Sequence, residues 1–248
     1  MRAARVDIMA NKQELEARET ELVWAFFKNR TTGFFVEVGA NDPVIGSQTW
    51  HLEQKGWRGI LMEPQPACAE RLRQQRKNSL VVQAACSAPG KAGEAPFYFA
   101  DASGLCGLEK HVDDPNLTYK RTEMVKVTTL DAVLESAGNP AVDCVFIDVE
   151  GTELDVLKGF DLKKHHPALL LIEDKVHNLK KHFYLKQQGY KLVKRTGVNN
   201  WYVPKETPFH MASAGERYQL VRKMYLATPW RVLKLKLKQR RARRTQAG

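Results

Sequence analysis

Apolar residues in this chain gather into short unbroken runs, and the stretches between them repeat at helical spacing. The runs fall at 34–38, 59–63, 80–84, 143–148 and 168–173 and are rich in valine, isoleucine, leucine and phenylalanine. A run apolar on both faces and closed by a glycine or an acid reads as a buried parallel strand. Helices are predicted between them over 47–55, 66–76, 130–137, 152–159 and 178–188, with Pro66 suited to a first helical turn. Strands at 190–194 and 199–203, joined by Gly197-Val198-Asn199-Asn200, read as a closing antiparallel hairpin. Upstream, Leu15, Leu22, Val23, Phe26 and Phe27 mark a helix over 11–29 that Gly33 ends before the first strand.

Strands alternating with helices imply parallel pairing through right-handed crossovers. The expected fold is α/β: a Rossmann-like, seven-stranded, mostly parallel sheet with helices on both faces and a closing antiparallel hairpin. Three regions are expected: a helical segment over 1–32 packed on the core, a main domain over 33–205, and a basic helical tail over 206–248. Residues 86–122 break the rhythm. A short strand-like stretch, Pro96 to Ala100, leads into a loop through Gly104, Gly107, Asp113, Asp114 and Pro115, which reads as a lid or acceptor-site insertion.

Charge changes the picture at one end only. The chain of 248 residues carries a net charge of +11, and residues 217–248 hold eleven Lys or Arg and no Asp or Glu, so the tail accounts for the whole excess. Trp230, Leu233 and Leu237 recur at helical spacing among these cations, which suits a helix lying on an anionic membrane surface through 229–244. A strand-like alternation and a solvated basic tail are the other readings. Nucleic acid is the less favoured partner, because the rest of the chain shows no basic groove. Cys68, Cys86, Cys106 and Cys144 contain no C-x-x-C pair and read as reduced thiols rather than a zinc site or disulfide framework. With no signal peptide and no spanning segment, the expected location is cytoplasmic, with a peripheral place at the inner face of the membrane.

The first apolar run ends in Glu37-Val38-Gly39-Ala40-Asn41, at the strand end where open α/β sheets bind ligands. No G-x-x-x-x-G-K-[ST] follows, and Gly39 is followed only by Gly46, so neither a P-loop nor a dinucleotide fingerprint is present. An acid in the strand, one close-approach glycine and a polar Asn41 suit a ligand carrying an ammonium and a carboxylate. S-adenosylmethionine is such a ligand. Its amino-acid end is expected over Gly39, Ala40 and Asn41, with Glu37 beneath. Its ribose hydroxyls are expected at Glu63, ahead of Pro64, and its adenine near Gln83, Ala84 and Ala85. On the acceptor side, Asp148, Glu173 and His177 are the catalytic candidates, and Asp148 with Glu173 or Asp174 could ligate a divalent cation such as magnesium. Glu150 is expected to bond the amides around Gly151 and Thr152, and Glu153 to be a first-turn helix charge.

Four segments carry a family resemblance: Phe35-Val36-Glu37-Val38-Gly39-Ala40-Asn41, Met62-Glu63-Pro64-Gln65-Pro66, Val127-Thr128-Thr129-Leu130-Asp131, and the run from Ile147-Asp148-Val149-Glu150-Gly151 to Leu157-Lys158-Gly159. In order and spacing they resemble the FkbM-type methyltransferases over roughly 33–204. Asp42-Pro43 departs from the small residues of many members. The resemblance implies a class I methyltransferase fold, S-adenosylmethionine as donor, and usually O-methylation of sugars, lipids or secondary metabolites. The expected activity is methylation of a hydroxyl on a glycan, glycolipid or related metabolite. A nucleic-acid methyltransferase and a non-catalytic nucleotide- or nucleic-acid-binding module are the alternatives.

Overall fold

A computed structural model describes residues 2–101, 103–110, 117–175 and 178–246, of which 2–13 and 239–246 are described in backbone only. The chain opens with helix α1 (Arg2–Phe26), then strand β1 (Phe34–Val38), α2 (Trp50–Glu53), β2 (Arg58–Met62), α3 (Pro66–Gln75) and β3 (Ser79–Val82). A short β4 (Ala85–Cys86) leads to β5 (Gly93–Ala100) and β6 (Tyr119–Thr128). Alternation returns with α4 (Leu130–Ser136), β7 (Cys144–Ile147), α5 (Glu153–Lys158), α6 (Leu162–His165), β8 (Leu169–Glu173) and α7 (Lys180–Gln187). The hairpin β9 (Tyr190–Thr196) and β10 (Asn199–Pro204) precedes α8 (Ala214–Val221) and α9 (Thr228–Gln246).

Seven strands form the main sheet in the order β3-β2-β1-β7-β8-β10-β9. The first five are parallel, and β10 runs antiparallel to both β8 and β9. Alternate side chains feed two cores. Val36, Val38, Ile60, Val145, Ile147 and Leu170 pack with Leu130, Val156 and Leu185 on one face, while Phe35, Leu61, Phe146, Leu171 and Trp201 pack with Val23, Leu52, Trp57 and Leu72 on the other. Burial on both faces is why the strands read as unbroken apolar runs. The strand order reverses between β1 and β7, so a crevice opens at their carboxyl ends, where Gly39 and Asp148 stand.

The third strand, expected over 80–84, stops at Val82, and Ala85 and Cys86 leave to join a second sheet. That sheet has the order β4-β6-β5, with β5 antiparallel to β6 over nearly its whole length. It occupies much of the stretch expected to be an irregular insertion, and its strand β6 runs on through Met124 to Thr128. Phe97, Phe99, Cys106, Val125 and Val127 bury one face. The other carries Lys120, Thr122 and Lys126, while Arg121 and Glu123 stand in line with Val125 on the first, opposite Phe99 and Phe97, and so hid the strand period. Asp113, Asp114 and Pro115 lie outside the described residues.

The helix expected from Ser47 begins only at Trp50, because Ser47, Gln48 and Thr49 turn their donors onto Glu37. At the other end, a π-helical turn over Arg222–Leu226 joins α8 to α9 and buries Met224. The Tyr225 hydroxyl lies 2.7 Å from His182 Nε2 and fastens that turn to α7. All four cysteines are buried and form no disulfide among the described residues. Among the described residues no helix is long and apolar enough to cross a membrane.

Candidate active site

A cavity of about 800 Å³ runs along the carboxyl edge of the main sheet. Its floor is the turn after β1. Gly39 takes φ +87°, and a Cβ there would collide with the backbone carbonyl of Asp148. The amides of Gly39 and Ala40 both donate to the Met62 carbonyl, at 2.9 and 3.2 Å. Asn41, itself at φ +46°, donates its amide to Glu63 Oε2 at 2.8 Å, and the amide of Gln65 donates to Oε1 at 2.8 Å. Glu63 thus ties the turns after β1 and β2 together. Burial raises its pKa, and those two amides work against the rise. Pro64 follows in the wall, and Ala84, Ala85, Phe97 and Leu105 close the end of the cavity beyond β2.

Glu37 also borders the cavity, yet its carboxylate is engaged within the protein. It accepts from the Gln48 amide at 3.0 Å, from the Ser47 hydroxyl at 3.2 Å and from the Thr49 hydroxyl. Burial raises its pKa, and Arg76, 4.0 Å away, is the main opposing influence. Arg76 is 1% exposed and binds Glu53 at 2.7 Å, Thr49 at 2.8 Å and the Pro43 carbonyl at 3.2 Å. This arginine organises the loop beneath the cavity. Nothing local in sequence distinguishes it from its neighbours Arg71 and Arg73 on the same helix.

Across the crevice three acids converge. Asp148 follows β7, Glu150 stands two residues on at φ +57°, and Glu173 ends β8. One carboxylate oxygen from each lies within 4.8 Å of the others. Burial is the first cause of Asp148 rising to about 7, followed by the charges of Glu150 and Glu153. Burial likewise leads in lifting Glu173 to about 9, with Asp148 and Glu150 behind it. Lys175 opposes both shifts, its Nζ lying 2.9 Å from Glu150 and 3.8 Å from Glu173. Asp148 and Glu173 share a hydrogen bond, whereas Asp148 Oδ1 is buried with no partner among the described residues.

Two expected assignments change. Asp174 is outside this cluster: successive strand-end side chains point to opposite faces, and its carboxylate meets Lys181 at 3.3 Å and Asn200 at 3.1 Å. Glu150 replaces it. The Gly151 amide expected to bind Glu150 instead donates to Glu153 Oε1 at 2.7 Å, and Glu153 is buried against Lys181 at 2.7 Å rather than being a simple first-turn charge. His177 lies outside the described residues.

A five-strand parallel array reversed at a glycine turn, with acids at strand ends and a terminal antiparallel hairpin, is the architecture of class I S-adenosylmethionine-dependent methyltransferases. The profile of the Methyltransferase FkbM domain matches residues 37–192, and the chain belongs to that family. It is an S-adenosylmethionine-dependent methyltransferase. Three solved structures are similar at 12% identity each. One is precorrin-6y C5,15-methyltransferase from Geobacter metallireducens (77% of this chain, 86% of that one, TM-score 0.43). Another is the putative methyltransferase YhhF from Escherichia coli (77% and 87%, TM-score 0.40). The third is a TehB-like methyltransferase from Corynebacterium glutamicum (83% and 100%, TM-score 0.37). No curated protein matches the sequence. The cavity's chemistry suits the donor: it is rich in carboxyl groups, and no Lys, Arg or His is among the described residues lining it, as a sulfonium with an adjoining ammonium requires.

Proposed function

We propose that the protein is an O-methyltransferase acting on a hydroxyl of a glycan, glycolipid or related metabolite. The observation that carries this reading is Asp148, raised to about 7, whose buried Oδ1 has no partner among the described residues, on the wall of the same cavity as Gly39 and Glu63. A base of that strength is half ionised near neutrality, where general base catalysis is most effective.

The bound donor supplies an electrophilic methyl group for in-line displacement. Gly39, Ala40 and Asn41 would hold its amino-acid end, Glu63 its ribose and Pro64 the turn beside it, and Ala84 and Ala85 would flank its adenine. Asp148 would take the proton of the acceptor hydroxyl. Glu173, bonded to Asp148, orients that carboxylate, and Lys175 offsets the charge of Glu150. Holding the oxygen in line contributes most of the rate.

The test is Asp148→Asn. Its turnover should fall by roughly 10²–10⁴ with donor affinity retained, and the fall in wild-type rate below about pH 7 should be absent from the variant. Unchanged turnover, or a methylated product carrying the group on nitrogen or carbon, overturns the reading.

The convergence of Asp148, Glu150 and Glu173 within 4.8 Å favours one second reading, in which the cluster takes a hard divalent cation such as magnesium. Chelation that abolishes transfer, with recovery on adding magnesium, would select it over the base.

The same reading places the protein at the cytoplasmic membrane face through its tail, and nucleic acid is the competing partner for it. Support comes from Leu226, Trp230, Leu233 and Leu237, which recur at spacings of four, three and four and are all exposed, beside Lys234 and Lys238.

A further inference from the structure

Lys181 stands in the first turn of α7 and is absent from the described residues that line the cavity. Its ammonium has three N–H groups, and each has an acceptor. Nζ donates to Glu153 Oε2 at 2.7 Å, to the backbone carbonyl of Glu173 at 2.9 Å and to Asp174 Oδ1 at 3.3 Å. Glu153 follows the turn after β7, whereas Glu173 and Asp174 lie at the end of β8. One cation thus spans the two strand ends that carry the acid cluster. Burial alone would lower the pKa of Lys181, but Glu153 and Asp174 outweigh it and hold it above the ordinary lysine value. The helix that bears it is fixed as well, because the Tyr184 hydroxyl donates to the Leu157 carbonyl of α5 at 3.1 Å.

The turn after β7 needs this support. Glu150 and Gly151 take φ of +57° and +115° in succession, and a non-glycine residue persists in that region only where its surroundings hold it. That backbone brings Glu150 within 4.8 Å of Asp148 and Glu173. The Gly151 amide is held by Glu153 Oε1 at 2.7 Å, and the other oxygen of the same carboxylate is the one bound to Lys181. Glu153 is 1% exposed, so without Lys181 its charge would be left buried and poorly compensated. Contacts therefore run from Lys181 through Glu153 to the left-handed turn, and from Lys181 directly to the backbone of Glu173.

We infer that Lys181 is a positioning residue for methyl transfer: it sets the separation of the β7 and β8 ends and so keeps Asp148, Glu150 and Glu173 aimed at the donor's methyl group. The inference rests on the proposed place of that cluster at the reacting end of the cavity. A tetrahedral ammonium is what the site demands. Arginine keeps the charge but presents a planar fork, which does not match three acceptors gathered around one nitrogen. Displacement of a reacting group by about 1 Å can lower a rate by about 10², so a residue that never meets the ligand can still govern turnover.

The experiment uses the full chain, with S-adenosylmethionine and S-adenosylhomocysteine as probes and no acceptor. Amide exchange by NMR compares Gly151 with the amides of β7. Calorimetry at about pH 8, where Asp148 is ionised, gives the ratio of the two affinities, which reports how closely the cluster faces the sulfonium. Lys181→Met should speed exchange at Gly151 at least about tenfold more than at β7, whereas a general loss of stability would speed both alike. It should also lower the preference for S-adenosylmethionine by at least about threefold, although loss of a cation by itself would raise that preference. The opposed signs separate placement from charge. Lys181→Arg retains the charge, covers the case in which the methionine variant does not fold, and should shift both readouts in the same directions. Asp148→Asn serves as the control and should lower the ratio. Exchange at Gly151 that keeps pace with β7, a ratio that holds or rises while the control lowers it, or wild-type behaviour of Lys181→Arg overturns the assignment. A control with an unchanged ratio would instead strike the place of Asp148 at the methyl group, and exchange at Gly151 would still decide the role of Lys181.

Discussion

The backbone carbonyl of Asp148 occupies the space that a side chain on Gly39 would need. The turn after β1 and the strand end after β7 are therefore packed backbone to backbone. With φ at +87°, residue 39 is also in a region that other L-residues rarely adopt. Gly39→Ala is expected to cost about 1–3 kcal/mol in stability and to weaken S-adenosylhomocysteine binding by at least about tenfold. Urea denaturation and calorimetry on the same preparation would show both; wild-type values for both would mean that the close approach is not required.

Glu173 couples stability to pH in the opposite sense from an ordinary ion-paired acid. Its usual pKa of 4.5 is raised to about 9 in the fold, so between those values the native protein binds a proton that the unfolded chain has released. Stability then falls as pH rises through that window. Glu173→Gln removes the dependence. Its Tm should exceed that of the wild type, by a margin that widens from pH 5 towards about pH 9. Activity should fall in the same variant, a trade common at catalytic sites. A margin that stays constant with pH would show that Glu173 ionises normally.

Arg76 is the buried cation under Glu37 and Glu53. Arg76→Met should destabilise the protein by about 3–5 kcal/mol, because it leaves buried carboxylates unpaired. Adding Glu53→Gln should recover part of the loss by removing one uncompensated charge. Denaturant midpoints of the two variants test this, and a double variant no more stable than the single one would count against it.

The tail gives a surface-binding prediction. Trp230→Asp with Leu233→Asp should lower co-sedimentation with phosphatidylserine vesicles by about tenfold, and added salt should weaken the wild-type protein in the same assay. A tail that binds through charge alone would respond to salt and ignore both substitutions. Tight, salt-dependent binding of a duplex oligonucleotide that survives both changes would favour nucleic acid instead.

Much of this architecture could be read from local pattern. The apolar runs located β1, β2, β7 and β8 to within a residue or two, since doubly buried parallel strands leave few polar positions inside them, Glu37 of β1 being one. Gly39, Glu63, Asp148 and Glu173 were legible for a related reason: each ends or follows such a run, and the ends of parallel strands share one edge of the sheet. The second sheet was not legible. Its strands bury one face only, and charged residues on both faces, Arg121 and Glu123 in line with Val125 and Lys120 and Lys126 opposite, masked the alternation between Tyr119 and Thr128.

By itself the sequence determined the alternation of strands and helices, the family, and the strand ends that bear acids. The alternation and the strand ends follow from spacing within about ten residues, whereas the family rests on the resemblance of four motif segments taken together. Tertiary structure alone decided which acids meet. A left-handed backbone at Glu150 turns it towards Asp148 and Glu173, strand alternation sends Asp174 to Lys181, and Glu153 takes the Gly151 amide. It also decided that Glu19, 180 residues before Asn199, closes the far wall of the cavity. The physical reason is range. Strand propensity and burial period are properties of neighbouring residues, whereas the direction of a carboxylate depends on partners brought near only when the whole sheet has formed.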